Sequence, residues 1–304
     1  MSIWQTKSWQ KMLKKSGQVS DYFEVDNIYI EKRSIGFGDF GLFILGLDKE
    51  ISKQNVNKLI ELCKKENCLF LQIETINYNN NKIIIKNNNF TNNYYKKFIT
   101  PYTAIINFEK TQDEILANMK PKGRYNIKLA IKKGVVAEIV EKTEENIKAY
   151  YELMLETISR DKFSGNSLDY YNTFLNSLEN SKLILARKDG IVIAGGIFTF
   201  GNEVSIYYYG ASTSKKEYRN FMAPYLVQWV AIEYAKSINS KIYDFLGVAS
   251  PDEKNSELAG VTDFKKKLTK DIIEVSNSSI FINKKIKYFI INILRIIKNT
   301  TYFK

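Results

Sequence analysis

IYDFLGVASPDEKNSELAGVTDFKKKL, residues 242–268, is the stretch on which the reading of this chain turns. It opens with an apolar run, Ile242, Tyr243, Phe245 and Leu246, that stops at Gly247, which predicts a buried strand. A polar loop, Ser250–Glu257, contains Pro251, and Ala259-Gly260-Val261 then leads into Phe264-Lys265-Lys266-Lys267. Glycine and proline punctuation around charged residues marks a surface loop, where sites collect. By spacing alone the segment is an ordinary strand–loop–helix crossover that ends in a solvated lysine run.

Working outward, residues 220–237 predict a helix, NFMAPYLVQWVAIEYAKS, with Pro224 tolerated in its first turn. Before it come strand 204–210, with Tyr207-Tyr208-Tyr209, and hairpin strands 182–187 and 191–200 joined by Lys188-Asp189-Gly190. Helices are expected over 143–160, ending near Arg160-Asp161-Lys162-Phe163, and over 167–178. Residues 111–136, TQDEILANMKPKGRYNIKLAIKKGVV, begin with a capping box, Thr111 and Glu114. After Pro121 a second helix carries Lys122, Arg124, Lys128, Lys132 and Lys133, with Ile127, Leu129, Ala130 and Ile131 as its apolar face. That pattern suits a solvated helix as well as one that meets phosphates.

Residues 4–16 predict a short amphipathic helix with Ser8 as a cap and Trp9, Met12 and Leu13 on one face. Two or three strands follow over 22–47. Within them Gly36-Phe37-Gly38-Asp39-Phe40-Gly41 spells a dinucleotide fingerprint, but it leads into Leu42-Phe43-Ile44-Leu45, a strand, where pyrophosphate binding needs a helix N-terminus. A tight turn suffices. A helix over 51–66, a strand over 69–73, an Asn-rich loop over 77–93 with a short strand at 82–86, and a strand TAIINF, 103–108, complete this half. The tail predicts a strand over 272–282 and a helix from KKIKYFIINILRIIKNTTYFK. On that helix Ile286, Ile290, Ile293, Leu294 and Ile297 share a side, with Lys284, Lys285, Lys287, Arg295 and Lys298 toward the ends. It either docks on the first domain or lies on an acidic membrane surface through 284–298.

With 304 residues, 44% hydrophobic and 26% charged, the chain is globular and long enough for two cores. Its net charge of +12 attracts anionic partners, although Lys, Asn and Ile are abundant throughout. There is no histidine, which excludes Ser–His and Cys–His catalysis and His-ligated metals. Cys63 and Cys68, placed on one helix, cannot complete a zinc site alone and are expected to be reduced thiols in a reducing cytoplasm. The opening MSIWQTKSWQ has no signal-peptide run, and no apolar stretch reaches the roughly 20 residues of a spanning helix. The expectation is a soluble cytoplasmic monomer, at most peripheral on the inner face of the plasma membrane, with no metal.

Separated motifs along the chain resemble the FemABX family, the aminoacyl-tRNA-dependent transferases that build peptidoglycan interpeptide bridges. Members read approximately Y-D-F-G-G, a variable loop, then A-G-V-x-x-F-K-x-x-F. Tyr243-Asp244-Phe245-Leu246-Gly247 and Ala259-Gly260-Val261-Thr262-Asp263-Phe264-Lys265 match, with Leu246 and Leu268 as departures. K-x-R-x-N-I-x-x-A-x-x-x-G-V is matched at Lys122, Arg124, Asn126, Ile127, Ala130, Gly134 and Val135, and A-P-Y-x-x-Q-W at Ala223, Pro224, Tyr225, Gln228 and Trp229. The opening Q-x-x-x-W is matched at Gln5 and Trp9, but Leu13 stands where the family has a phosphate-contacting lysine, with Lys14 beside it. R-x-x-F is matched at Arg160 and Phe163, but the basic residue that follows is replaced near Asn166.

The resemblance implies an α/β (α+β) fold of two GNAT-like acyltransferase domains side by side, with mixed sheets flanked by helices. Their expected limits are 1–135 and 136–270, with a C-terminal strand and basic helix, 271–304, packing on the first. The compact form without the coiled-coil arm is the match, because no long heptad helix interrupts 137–220. It implies an aminoacyltransferase moving an amino acid from aminoacyl-tRNA to the stem-peptide amine of a lipid-linked or nucleotide-linked muropeptide precursor. Lys265, Asp244 and Phe264 are the implied catalytic group, with Lys265 facing the oxyanion or the terminal adenosine phosphate and Asp244 orienting the amine or taking its proton. Lys14, Tyr209, Arg160, Tyr225 and Gln228 are implied in substrate binding, and Lys122, Arg124, Lys128 and Lys266 in tRNA binding. No cofactor is expected beyond aminoacyl-tRNA as co-substrate, because the R/Q-x-x-G-x-G/A of an acetyl-CoA site is missing before Pro224. The alternatives are another GNAT-fold N-acyltransferase with a different amine acceptor, and a non-catalytic RNA- or membrane-binding scaffold.

Overall fold

The computed structural model describes residues 2–79, 83–253 and 256–301, with side chains through Arg295 in the last helix. The elements in chain order are α1 (Lys7–Lys15), β1 (Asp21–Val25), β2 (Ile28–Gly36), β3 (Asp39–Leu47), α2 (Lys53–Lys65), β4 (Phe70–Thr75), β5 (Phe90–Thr91) and β6 (Tyr102–Asn107). Next are α3 (Gln112–Asn118), α4 (Pro121–Lys132), β7 (Val136–Val140), α5 (Glu144–Asp161), α6 (Leu168–Ser177), β8 (Ser181–Lys188), β9 (Ile191–Thr199) and β10 (Val204–Ser212). Last come α7 (Lys216–Arg219), α8 (Ala223–Ser237), β11 (Ile242–Gly247), α9 (Ala259–Leu268), β12 (Ile272–Glu274), β13 (Ser278–Ile282) and α10 (Lys285–Thr301).

The chain divides into two α/β units, Met1–Ile99 with Val275–Lys304, and Thr100–Glu274. The expected boundary at 135/136 moves to 99/100. The reason is β6, which sits inside the second sheet between β11 and β12 and takes α3 and α4 with it. The single tail strand expected over 272–282 is two strands in two sheets, β12 on β6 and β13 on β4, with the chain changing units at Val275.

The first unit is a six-stranded mixed sheet, order β1-β2-β3-β4-β13-β5, with β3 and β4 its parallel pair. Helix α2 lays Val56, Leu59, Ile60 and Cys63 against Ile28, Ile30, Leu42, Ile44 and Leu71, the apolar stripe that its 3.6-residue period predicts. Cys63 lies on α2 and Cys68 beyond its end, so they do not share a helix. Both are free thiols, and burial pushes them up to about 12 and about 11. The cap of α1 is Thr6, which accepts from Trp9 N, and not Ser8. Gln5 explains its own place in the opening motif. Its amide donates to Leu45 O at 2.8 Å and accepts from Tyr29 N at 3.0 Å, so a buried side chain ties the N-terminus to β2 and β3. Gly36 and Gly38 sit in a strand-to-strand turn with positive φ, as the reading against a nucleotide loop requires. Residues 83–86 form no strand, and 80–82 lie outside the described residues.

The second unit is a seven-stranded mixed sheet, order β12-β6-β11-β10-β9-β8-β7, with β10 and β11 its parallel pair. Strand β9, IVIAGGIFT, is a near-continuous apolar run because both faces are covered. A side chain at Gly195 would strike Tyr150 of α5, and one at Gly196 would meet Val227 of α8 on the opposite face. The capping box of α3 forms as read, with Thr111 Oγ1 accepting from Glu114 N and Glu114 accepting from Thr111 N. The helix expected over 220–237 begins at Ala223, because Met222 takes a left-handed conformation that separates it from the short α7.

Candidate active site

In the second unit the parallel ladder between β10 and β11 lasts three residues, Val204–Ile206 against Ile242–Asp244, although both strands continue. Two irregularities flank the split. The β10 register against β9 slips between Tyr207 and Tyr209, and that of β11 against β6 slips between Asp244 and Gly247. Bulges of this kind re-aim side chains beside active sites. At the second, Leu246 adopts φ +58°, a left-handed conformation costly for a side chain with a Cβ. The family pattern has glycine there, so the departure at Leu246 falls on the one residue of the strand that needs glycine-like freedom.

Asp244 is the last residue of the ladder, and it is buried. Its Oδ1 accepts from Thr103 Oγ1 of β6 and from Leu246 N at 2.7 Å, which holds the turn in shape. Lys265, one helical turn before the end of α9, reaches back to the same turn and donates to Leu246 O at 3.1 Å and Gly247 O at 2.8 Å. Only 5% of it is exposed. Burial pulls its ammonium down to about 8, and the charge of Asp244 opposes that pull. A desolvated ammonium on two carbonyls beside a carboxylate can stabilise negative charge that develops next to it, and it sits near enough to neutrality to exchange a proton.

Motifs distant in sequence converge on α9. Phe264 packs edge-to-face on Tyr225 of α8, centroids 5.0 Å apart. Gln228, one turn further along α8, is buried and accepts from Tyr243 OH of β11 at 2.8 Å. Lys120 N, at the start of α4, donates to Lys267 O at 3.1 Å, and Gly123 lies so close that a Cβ there would overlap the same oxygen. That contact accounts for the glycine in Lys122-Gly123-Arg124. The structure places the other expected groups separately. Lys122 and Lys128 are exposed on α4, and Lys266 is half-buried on α9. The guanidinium of Arg124 turns inward, donating to Leu116 O at 3.0 Å and to Met119 O, where it closes the C-terminus of α3. Arg160 donates to Ser212 O at 3.0 Å at the end of β10 and forms two bonds to Asp161, so its fork is occupied within the unit. Tyr209 OH is 2.8 Å from Tyr170 OH inside a cluster with Tyr171, Phe174 and Tyr208, and burial raises its pKa well above the usual phenol value. Lys14 belongs to the other unit, in an exposed pair with Asp21 at 2.7 Å.

Sequence reading missed Thr103, which only the β6–β11 pairing brings to Asp244, and Tyr125. Tyr125 is 62% exposed on α4 and follows Lys122 by three residues; Lys128 and Lys132 continue the same stripe. The three-residue spacing was the available signal for it. A surface pocket of about 270 Å³ in the unit is lined by Gln112, Ile115, Trp229, Ile232, Glu233 and Lys236, and includes none of the expected site residues.

Comparison with known proteins places the chain. Its fold matches a crystal structure of FemX, with TM-score 0.77, 18% identity, and 95% of this chain and 94% of that one covered. It also resembles the structure of L-PGS from Bacillus licheniformis, with TM-score 0.57 and 11% identity over 96% of each chain. Among curated relatives, the lipid II:glycine glycyltransferase of Staphylococcus saprophyticus is 24% identical over 60% of this chain and 58% of its own length. The one from Staphylococcus aureus is 23% identical over 60% and 59%. The chain thus spans somewhat over half the length of these relatives. The FemAB family model matches residues 81–188 and 178–295, and this chain belongs to the FemAB family.

Proposed function

We propose that this protein is an aminoacyltransferase that moves an amino acid from aminoacyl-tRNA to the stem-peptide amine of a lipid-linked peptidoglycan precursor. The observation that carries the reading is the buried Lys265 ammonium, fixed on the Leu246 and Gly247 carbonyls where β10 and β11 part. The lipid-linked acceptor, and glycine as the first amino acid to try, come from the relatives named lipid II:glycine glycyltransferase.

The chemistry asks little of the protein. The amine nitrogen attacks the ester carbonyl, the carbon–oxygen bond to the terminal ribose breaks, and the amine proton ends on that ribose oxygen. The donor is already activated, so alignment and oxyanion stabilisation supply most of the acceleration. Lys265 provides the positive charge. Asp244, with Oδ1 committed to Thr103 and the Leu246 amide, keeps that turn and its cation in place, a positioning role beside the two expected from sequence, orienting the amine or taking its proton. Phe264 fixes the lysine by packing on Tyr225. Tyr209, three residues beyond the end of the β10–β11 ladder, is assigned to the acceptor. On the surface, Lys122, Lys128, Lys132 and Lys266 attract tRNA phosphates and Tyr125 offers a face for stacking a base, while Arg124 supports the helix that carries them.

The test is transfer of labelled amino acids, glycine first, from a charged tRNA pool to lipid-linked and nucleotide-linked muropeptides. Label reaching the lipid-linked acceptor, and lost after ribonuclease treatment, is the expected result. Transfer to the nucleotide-linked acceptor alone would correct the acceptor. Folded protein with no transfer to either would overturn the reading.

A further inference from the structure

Helix α10 (Lys285–Thr301) is packed against its own unit by one face only. Tyr288 meets the Phe70 ring edge-on at 5.6 Å, and Ile291 is buried. Arg295 stacks on the Tyr95 ring at 3.9 Å and donates to Tyr95 O at 2.8 Å, and Lys287 pairs with Asp39 at 2.8 Å. These contacts anchor the helix. The opposite face is apolar and bare: Ile286 is 80% exposed, Phe289 65%, and Ile290, Ile293 and Leu294 40–49%. At 100° per residue these five side chains occupy an arc of roughly 140°, opposite Tyr288, Ile291 and Arg295. A surface helix normally turns polar residues outward; this one turns out isoleucine, leucine and phenylalanine, in a patch of the kind that soluble chains keep small unless it meets something. Lys284, Lys285 and Lys287 stand at its N-terminal end, and no acidic residue follows Glu274 anywhere in the sequence.

We infer that the exposed face of α10 is a membrane-docking surface that enters the headgroup region of an anionic bilayer. An apolar stripe flanked by basic residues alone is the pattern of a helix that lies in the interface plane, with side chains in the acyl boundary and lysines against lipid phosphates. Charge complementarity selects this occupant over a second copy of the chain. A two-fold contact through this face would set a lysine-bearing helix with no carboxylate of its own against its duplicate on a chain of net charge +12. Among the described residues no helix is long and apolar enough to cross a membrane, so α10 lies on the bilayer. The inference rests on the helix alone; with a lipid-linked acceptor, it brings the enzyme to the surface that holds its substrate.

The test is sedimentation of the full chain with phosphatidylcholine vesicles, with and without phosphatidylglycerol, alongside the double variant Phe289→Ser/Ile293→Ser and the single variant Phe289→Trp. Both positions are exposed, so unchanged thermal melts are expected to show that the variants fold. The inference predicts partition onto the anionic vesicles, weakened by salt, reduced roughly tenfold or more by the double serine variant, and a blue shift of the introduced tryptophan on vesicle addition. Equal vesicle binding by the double variant would reduce the contact to charge adsorption and overturn the inference. No vesicle binding would overturn it too, as would a concentration-dependent dimer that the double variant dissolves. Vesicle binding is read without any transfer reaction, so its outcome is independent of the transfer assay.

Discussion

The two units share a device and use it differently. Each has one parallel strand pair and an acidic residue late in the second strand of that pair: Glu74 on β4, opposite Leu45, and Asp244 on β11, opposite Ile206. In the first unit the pair stays together from Leu42–Leu71 to Leu47–Thr75, and Glu74 is closed off by backbone amides. Phe98 N donates at 3.0 Å and Ile99 N at 2.6 Å, with Gln72 Nε2 at 2.6 Å. In the second unit the pair parts immediately after Asp244, and a lysine from α9 comes to the gap. A buried carboxylate surrounded by amides is a structural joint. A buried carboxylate beside a desolvated ammonium at a break in the sheet is where the proposed chemistry is assigned.

Replacing Lys265 by Met is the largest test of that contrast. Transfer is expected to fall by a hundredfold or more, as for loss of an oxyanion donor, with the melting temperature little changed because a desolvated charge leaves with it. Glu74→Gln should leave single-turnover transfer within a few-fold of the parent. Comparable loss of transfer in both variants would erase the distinction between joint and site.

pH separates the two groups next. Burial raises Glu74 to about 7, so the native state holds a proton that the unfolded state releases above about 4.5. Stability is therefore expected to be full below pH 4.5 and to decline as pH rises through 7, by something on the order of 3 kcal/mol. Lys265 is lowered to about 8, so the unfolded chain holds the extra proton between about 8 and 10.5, and stability climbs again across that window. Urea unfolding at pH 5, 7.5 and 9.5 reads both limbs, and Glu74→Gln should flatten only the first. Transfer should fall as pH rises above about 8, where the ammonium is lost; a rate that rises there would make neutral Lys265 a base.

Within the second unit, Arg124→Ala is expected to cost about 2 kcal/mol of stability through the α3 carbonyls it leaves open. The pair Lys122→Ala/Lys128→Ala should leave stability alone, weaken tRNA binding and flatten its dependence on log salt by a slope of about 2. The opposite assignment would show in the same melts and binding curves. Smallest is Thr103→Val, expected to cost about 1 kcal/mol by removing one donor from Asp244 and to lower kcat more than KM if Asp244 positions the lysine turn.

Much of this was legible in sequence because it is local. The helical stripe of α2, the capping box at Thr111, the strand–loop–helix at 242–268 and the inert Gly36–Gly41 turn are set by periods of 2 and 3.6 and by backbone freedom over a few residues. The separated motifs together pointed to the family without any contact being known. What resisted reading depended on which segments meet. β6 reads as one more strand of the first half, yet it pairs with β11 across 135 and more residues and so moves the unit boundary to residue 99. Arg124 reads as one of several basic residues on α4; its inward turn is fixed by the carbonyls of α3.

Sequence by itself determined the segments, their order and their kinship, because propensity and motif are properties of short stretches. Tertiary structure decided the rest: that Thr103, Asp244, Leu246 and Lys265 share one turn, and that burial there brings a lysine down to about 8. It also decided that α10 hides Tyr288 and Arg295 and exposes its isoleucines. Desolvation and side-chain direction are set by whatever lies on the other side of a residue, and in this chain that neighbour is often more than a hundred positions away.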